Sequence, residues 1–293
     1  MLRIATASVN WNNDDLGDAI EYPFPMILDR VREAGYDAIE YHPLFGNDID
    51  ALNREARERG IAWCGTYHPI DLVAGPLTEA QRDAVEVKAA RLAALGCHHM
   101  VIAQMQVPER VAIAGQVPED GSQSLPPEAY SLAAANLHDA AAVARRHGVV
   151  LHFHNHVGTW IETPADLDAL LAHLDTSLVD LCFDTGHYAY GGGQALAFMR
   201  DNLEAIGYLH LKDVDATILA EAREQGWSFL EALEHVIFCP LGDGSARIPE
   251  ILTLLNDSDF GGWVVVEQDT CHGDPTAVAR QNRNYIARQV GEA

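Results

Sequence analysis

The sequence is poor in basic side chains. Of its 293 residues, 19 are Lys or Arg and 43 are Asp or Glu, so the formal net charge is −24 at pH 7. A charge of this size and sign repels the phosphate backbone of nucleic acids and anionic membrane surfaces at long range. We therefore expect no nucleic-acid partner and no membrane partner.

Paired cysteines and long apolar runs are also missing. The five cysteines are odd in number and form no CxxC motif, which argues against a disulfide framework and a cysteine zinc site. The start, MLRIATASVN, has no basic segment followed by an apolar one, and no apolar run approaches the length of a membrane span. These absences lead us to expect a cytoplasmic protein.

Eight short apolar, β-rich runs alternate with amphipathic helical patterns along the chain. The runs are RIATAS, AIEYH, AWCGTYH, MVIAQMQ, VVLHFHNH, VDLCFDTGH, IGYLHLKD and WVVVEQD. A strand–helix rhythm repeated eight times predicts a parallel α/β sheet, and at this length a closed (β/α)8 TIM barrel. We expect one barrel domain over residues 1–293.

Two segments interrupt the rhythm. Residues 108–130, PERVAIAGQVPEDGSQSLPPEAY, follow the fourth run and predict a long loop, either a lid or binding loop or a floppy insertion. The segment SVNWNNDDLGD follows the first run and is rich in Asn and Asp, which commonly form turns. It lies where barrel enzymes build substrate contacts.

Polar side chains cluster at the carboxyl ends of the predicted strands, where the active sites of TIM barrels lie. They are Glu40, His42, His68, Gln104, His154, His156, Asp184, His187, His210, Lys212, Glu267 and Asp269. Because nearly every strand delivers an ionisable group or an imidazole to the same rim, the pattern predicts a functional site.

Residues two apart in a strand point to the same face, so several of these side chains form rows that can converge inside a barrel. The candidates for the point of convergence are His154, Asp184, His210 and Glu267. Two imidazoles and two carboxylates suit one divalent first-row metal ion. A single strand histidine is usually a hydrogen-bonded core residue, but four such groups on consecutive strands favour metal binding.

Several motifs resemble those of the inosose dehydratase family, within the xylose isomerase-like barrel superfamily. They include NWNNDD, PEDGSQSL, DTGHYAYGGG, HLKDV, GWVVVEQD and the span ILAEAREQGWSFLEALEHVIFCPLGDG. The superfamily's ligands are typically Glu, Asp, His and Glu, and Asp184, His210 and Glu267 match the last three. The first ligand differs: many epimerases have the motif ENH there and this chain has HNH, so the resemblance puts His154 in the place of the first Glu.

The resemblance implies removal of water from a keto-cyclitol such as 2-keto-myo-inositol. A proton is taken next to the ketone, a metal stabilises the enediolate, and water leaves by β-elimination. We expect one divalent ion, Mn²⁺ or Co²⁺ first, with Mg²⁺, Fe²⁺ or Zn²⁺ as alternatives. Strand-end position and resemblance together assign catalysis to Glu267, Lys212 and His156, and substrate binding to Glu40, His68, His187 and Gln104.

Other functions stay open at this point. A ketose or polyol isomerase or epimerase of the same barrel would share the first proton abstraction without losing water. A non-catalytic polyol-binding barrel would not need the converging ligands, and an abasic-site nuclease would need a basic groove that the charge of −24 does not favour. The expected partner is a small polyol or keto-cyclitol, and an acidic surface also allows a homo-oligomer.

Overall fold

A ring of parallel strands surrounded by helices forms the fold in the computed structural model, which describes residues 2–13, 16–17 and 20–291. Asp14, Asp15 and Asp18 of the SVNWNNDDLGD segment lie outside these residues. The predicted α/β barrel is confirmed.

All eight predicted runs contribute strands to one sheet. Within the described residues its members are β1 Arg3–Thr6, β2 Ala38–Ile39, β3 Ala62–Trp63, β4 Tyr67–Ile70, β5 His99–Gln104, β6 Val150–His154, β7 Asp180–Asp184, β8 Ile206–Leu211 and β11 Trp263–Val266. They pair in the order β3-β2-β1-β11-β8-β7-β6-β5-β4. The pairings are parallel, as the alternation of strands and helices predicts.

The third predicted strand consists of two short strands, β3 and β4, and the ring of strands closes where these two meet. β3 pairs with β2 and β4 pairs with β5, so the two ends of the sheet order are neighbouring segments of one chain. Backbone hydrogen bonds continue through the break, from Cys64 N to Ile39 O at 3.0 Å and from Val101 N to Thr66 O at 2.9 Å. Gly65 lies at the break, where a Cβ would come 2.6 Å from Oη of Tyr208.

Helices follow most of the strands. Within the described residues they are α1 Met26–Glu33, α2 Ile49–Glu58, α3 Glu79–Leu95, α4 Pro108–Val111, α5 Pro127–Arg145, α6 Pro164–Leu171, α7 Thr185–Tyr190, α8 Ala195–Asn202, α9 Ala216–Gln225, α10 Phe229–Glu234, α11 Ile248–Asn256 and α12 Pro275–Val290. Thr78 caps α3 in a capping box with Gln81, and Gly96 ends it in the left-handed conformation. None of the helices in the described part of the chain has the length and apolar content of a membrane span.

The segment 108–130 is more ordered than its composition predicts, because α4 and the start of α5 occupy its two ends. The side chain of Arg110 is buried and donates to the carbonyl of Gln123 at 2.9 Å. Glu162 accepts hydrogen bonds from the backbone N–H groups of Gly115 at 2.7 Å and Gly158 at 2.8 Å. These buried polar contacts tie residues 112–126 to the loop that follows β6.

A second, antiparallel sheet lies beyond the end of β8. It pairs β9 Asp213–Val214 with β10 Phe238–Cys239, and the chain between them forms α9 and α10. The carboxylate of Asp213 accepts four backbone N–H bonds, from Val214, Gly242, Gly244 and Ala246. The GDG turn at residues 242–244 is thus held by a carboxylate of the chain itself.

Two apolar layers stabilise the barrel. The larger lies between the sheet and the helices, where outward residues such as Leu151, Phe153 and Leu209 are buried. The smaller fills the inside of the ring with mostly small side chains below the site, among them Ala5, Ala38, Cys64, Val101, Cys182, Tyr208 and Val265. This inner layer fills the bottom of the barrel, so the polar groups nearer the carboxyl ends of the strands lie above buried apolar side chains.

Candidate active site

The rows of inward-facing side chains change from apolar to polar toward the carboxyl ends of the strands. His154 lies two residues after His152, Asp184 follows Cys182, and His210 follows Tyr208 with the same spacing. Parallel pairing places Asp184 opposite His210 on neighbouring strands. The alternation that predicted these rows therefore brings the candidate residues to one level of the barrel.

His210 lies at the centre of the group and is oriented by Glu40. Its Nε2 lies 3.1 Å from Oε1 of Glu40, and a carboxylate can only accept, so Nε2 carries the proton. Oη of Tyr208 donates to the same carboxylate oxygen at 2.8 Å. Burial alone would lower the pKa of His210, but Cys182, Glu267 and Glu40 raise it well above its usual value. The Nδ1 atom on the opposite side of the ring therefore releases a proton when it ligates a cation.

Two buried atoms face each other without hydrogen-bond partners among the described residues: Nδ1 of His210 and Oδ2 of Asp184. They lie 3.9 Å apart, and Oε1 of Glu267 lies 3.4 Å from the same Nδ1. Buried polar atoms are normally hydrogen-bonded, so such a pair suits a cation that both could ligate. Asp184, His210 and Glu267 thus fit a divalent metal.

The other oxygen of Asp184 is already used by the chain. Asp184 is the N-cap of α7, and its Oδ1 accepts from the backbone N–H of His187 at 2.7 Å. Burial raises the pKa of Asp184 to about 6, although Lys212 opposes the rise. The cap fixes the orientation of the carboxylate and leaves Oδ2 directed at His210.

His154 is oriented by the backbone. Its Nδ1 lies 3.3 Å from the carbonyl oxygen of Cys182, which can only accept, so the lone pair is on Nε2. Ligand atoms of His154, Cys182 and His210 lie within 4.8 Å of one another, as do those of Glu40, His210 and Glu267. A third such group joins His154, His156 and His187. None of the groups within the described residues contains Asp184, and His154 and Glu267 belong to different groups that share His210.

Lys212 is a buried cation surrounded by carboxylates. Its Nζ lies 2.7 Å from Asp269, 3.0 Å from Glu267 and 3.7 Å from Asp184. Burial alone would lower the pKa of Lys212, but Asp269, Glu267 and Asp184 raise it well above its usual value. The ammonium group therefore stays protonated and can donate hydrogen bonds into the cavity.

His156 and His187 pack against each other, with ring centroids 3.8 Å apart and ring planes tilted by 33°. Nδ1 of His156 lies 2.6 Å from the carbonyl oxygen of Val157, which leaves the lone pair on Nε2. Burial, followed by the charge of Lys212, lowers the pKa of His156 to about 4. His156 is therefore neutral near pH 7 and acts as an acceptor.

A cavity of about 530 Å³ opens above these groups, which is a common size for a small-molecule site. It is lined by Ala7, Ser8, Val9, Asn12, Glu40, Tyr41, His42, Pro43, Leu44, Tyr67, Pro69, Lys88, Met105, Gln106, His154, His156, His210, Lys212, Glu267 and Asp269. Asp184 and His187 are buried behind this wall. No residue of 108–126 is part of it.

Besides His187, two predicted substrate contacts lie outside the cavity wall. Tyr67 and Pro69 line the cavity, so the intervening His68 is on the opposite face of β4. Gln104 likewise points away from the cavity that Met105 lines, and its Oε1 accepts from the backbone N–H of Leu72 at 2.7 Å. Both side chains belong to the layer between the sheet and the helices.

The predicted residue set omitted several cavity residues. Asp269 was predicted at the same rim, two residues beyond Glu267, but was given no role. Tyr208, two residues before His210, lies in the apolar layer below the cavity and follows from the same alternation. Lys88 lies on α3 and reaches the cavity from outside the ring, so no strand pattern could have predicted its place. Tyr67 was not predicted to face the cavity because the inward phase of the third strand changes at its break.

The deepest histidine of the row, His152, has a different environment. Its Nδ1 contacts Oδ1 of Asp180, and its Nε2 lies 2.9 Å from Nδ1 of His99. Asp180 and His99 are the first residues of β7 and β5, at the amino ends of the strands. His152 therefore lies below the site, where it links the strands.

A family model described as the xylose isomerase-like TIM barrel matches residues 28–289. An inosose dehydratase of Geobacillus kaustophilus is 30% identical over 98% of this chain and 94% of its own length. The chain belongs to the inosose dehydratase family of xylose isomerase-like barrels. A second inosose dehydratase, from Clostridium botulinum, is 26% identical to this family member over 99% of the chain and 97% of its own length.

Solved structures agree with the fold of this inosose dehydratase family member. A probable 3-DHS dehydratase, AsbF from Bacillus anthracis, superposes with a TM-score of 0.73 at 14% identity, covering 98% of this chain and 99% of its own. The IolI protein, whose structure holds a zinc atom, has a TM-score of 0.71 at 13% identity, covering 99% of each chain. At these identities the likeness supports the fold alone.

Proposed function

We propose that the protein is a metal-dependent dehydratase of a keto-cyclitol such as 2-keto-myo-inositol. The observation that carries the proposal is the facing pair of Asp184 Oδ2 and His210 Nδ1 beside Glu267, at the base of a cavity that Lys212 and His156 line. Relatives named inosose dehydratase, matched over nearly the whole chain, support the choice of substrate class.

Asp184, His210 and Glu267 would hold the metal, with His154 as the fourth ligand. Its chemistry when bound would be that of a Lewis acid toward the substrate's ketone and the neighbouring hydroxyl. Glu40 holds the proton on Nε2 of His210 and so keeps Nδ1 available as a ligand atom. Histidine instead of a carboxylate at position 154 leaves the ligand set with one fewer negative charge.

The remaining polar groups divide the proton transfers between them. His156 is neutral and presents the lone pair of Nε2, which suits it to accept the weakly acidic proton next to the ketone. Lys212 remains a cation and can donate a hydrogen bond or a proton to the departing hydroxide. Once the amine has given its proton to the hydroxide, Glu267, which lies 3.0 Å from Nζ, can carry a proton from solvent to it and so restore the ammonium group.

Substrate contacts are assigned more narrowly than the sequence alone allowed. Glu40 lines the cavity and is retained as a contact. His187 acts through the ring of His156 and through Nζ of Lys212, which lies 3.2 Å from its Nε2. His68 and Gln104 lie outside the cavity and have no part in the proposal.

The test is turnover by protein stripped of metal and reloaded with Mn²⁺ or Co²⁺. With 2-keto-myo-inositol, we expect a product lighter by one water, detected by mass and by the ultraviolet absorbance of the conjugated ketone, only after metal is added. Asp184→Asn, which keeps the cap of α7 and removes the charge, should lose metal and turnover together, while exposed Asp83→Asn should lose neither.

Two outcomes would contradict the proposal. A new stereoisomer without loss of mass would support an epimerase of the same barrel instead. An Asp184→Asn variant that stays fully active and metal-loaded would remove the ligand assignment.

A further inference from the structure

Lysine is rare in this chain, and its two lysines meet in one place. Of the 19 basic residues only Lys88 and Lys212 are lysines, and the others are arginines. Lys88 comes from α3 and Lys212 from the end of β8, yet both line the same cavity. A compact ammonium group is therefore used only where the protein faces this cavity.

The two ammonium groups differ in their surroundings. Lys212 has three carboxylates within 4.0 Å of Nζ. No carboxylate of a described residue forms an ion pair with Lys88, although the chain has 43 acidic residues. Its Nζ donates instead to the backbone carbonyl of Tyr67 at 3.1 Å, which uses one of its three donors.

Lys88 is half-buried, and burial and a neighbouring arginine both disfavour its positive charge. Burial, followed by the charge of Arg91 one turn along α3, lowers the pKa of Lys88 to about 8. Arg91 is itself held by Oη of Tyr41 at 3.2 Å. A partly desolvated cation without a counter-ion is unfavourable by itself, and an anion at this point would offset the cost.

Tyr67 connects Lys88 to the proposed reaction site. Its carbonyl fixes the amine, while its ring lies 5.9 Å from that of His154 and 6.4 Å from that of His156, between centroids. One small molecule in this cavity can therefore lie against both the histidines and Lys88.

We propose that Lys88 forms a subsite for an oxyanion carried by the substrate, a carboxylate or a phosphate on the hydroxylated ring ketone. The inference rests on the proposed dehydration and extends its substrate class from neutral ring ketones such as 2-keto-myo-inositol to acidic ones. The oxyanion binds to the donors of the ammonium group that Tyr67 does not use, in the cavity that His210 and Glu267 also line.

The experiment compares Lys88→Met with the wild type, both metal-loaded, on three ring ketones: neutral 2-keto-myo-inositol, a phosphorylated one and a carboxylated one. For the preferred acidic ketone, we expect kcat/KM to fall about 30-fold in Lys88→Met, mainly through KM, because a charge-assisted bond is lost. On neutral ketone the change should stay within about threefold. The acidic ketone that the wild type prefers identifies the oxyanion.

Matched variants separate charge from structure. Lys88→Arg keeps the cation and should recover most of the loss, and Lys88→Gln should behave as Lys88→Met does. Arg54→Met removes one exposed positive charge elsewhere and should change the KM of none of the three ketones. An equal loss on neutral and acidic ketones, or no loss on either, would overturn the subsite.

Binding of inorganic phosphate distinguishes this inference from the proposed function. If none of the ketones loses water with any metal, the dehydratase proposal fails. The subsite is then tested by the change in melting temperature that inorganic phosphate causes in the wild type and in Lys88→Met. Phosphate that stabilises the wild type and not Lys88→Met supports it. Equal stabilisation of both, or of neither, refutes it.

Discussion

His210 donates from Nε2 to Oε1 of Glu40, and the same ring presents Nδ1 to Asp184 and Glu267. The hydrogen bond on one nitrogen thus determines which nitrogen is available as a ligand on the other side. The orientation of the central imidazole depends on a residue from the second strand, outside the ligand set.

Glu40→Gln tests this dependence. The amide can turn its N–H toward Nε2, which favours the wrong tautomer of His210, so metal affinity should fall about 10- to 100-fold. Titration of stripped protein with Mn²⁺ or Co²⁺ measures the change, and exposed Glu58→Gln is the control. Unaltered affinity would mean that Glu40 does not determine the tautomer of His210.

Lys212→Met should leave the metal content intact and slow turnover about 10²- to 10⁴-fold, because the proton donor to the leaving hydroxide is lost. Metal analysis and steady-state kinetics on one sample give both quantities. Lys212→Arg keeps the charge near Glu267 and Asp269 and shows how much of the loss is electrostatic. Unchanged kinetics in Lys212→Met would exclude a catalytic role.

Glu162 should make stability depend on pH. Burial raises its pKa to about 7 from a usual value of 4.5, so between these values the folded protein binds a proton that the unfolded chain does not. The free energy of unfolding therefore decreases as pH rises through this window, by at most about 1.4 kcal/mol per pH unit. Glu162→Gln cannot titrate and should lose about 2 kcal/mol less between pH 5 and 7.

Urea unfolding at pH 5, 6, 7 and 8 measures this difference, with exposed Glu224→Gln as the control. Parallel pH profiles for Glu162→Gln and the wild type would show that the carboxyl group does not titrate in this range.

Gly65→Ala should destabilise the barrel at the break in its third strand. The added Cβ would lie 2.6 Å from Oη of Tyr208 and 3.2 Å from Oε1 of Glu40, so one of these groups must move. We expect the free energy of unfolding to fall by about 1–3 kcal/mol. Gly75→Ala, where nothing lies within 4 Å of the new Cβ, should be close to neutral by the same denaturation assay.

Period-two alternation predicted the barrel and most of its inward rows, because each strand keeps one phase from the apolar layer to the rim. It misplaced His68 because the third strand changes phase. Cys64 points inward, and an unbroken strand would place His68 inward too, but after Gly65 it is Tyr67 that faces the cavity. A backbone break at a glycine that packs closely against Tyr208 leaves no trace in hydrophobic periodicity.

Gln104 shows a different error. The inward phase of its strand runs through Val101 and Met105, so alternation alone would have placed Gln104 outward, and its position at a strand end was given too much weight. Lys88 was out of reach for another reason, since a helix residue enters the cavity only through the packing of α3 on β4.

The carboxylate of Asp213 occupies two amides of the GDG turn, those of Gly242 and Gly244, together with the amides of Val214 and Ala246. The turn is consequently preformed before any ligand arrives, and free phosphate in solution would have to displace a tethered competitor of very high local concentration. Selectivity among small anions then depends on the cavity and not on the glycine-rich rim.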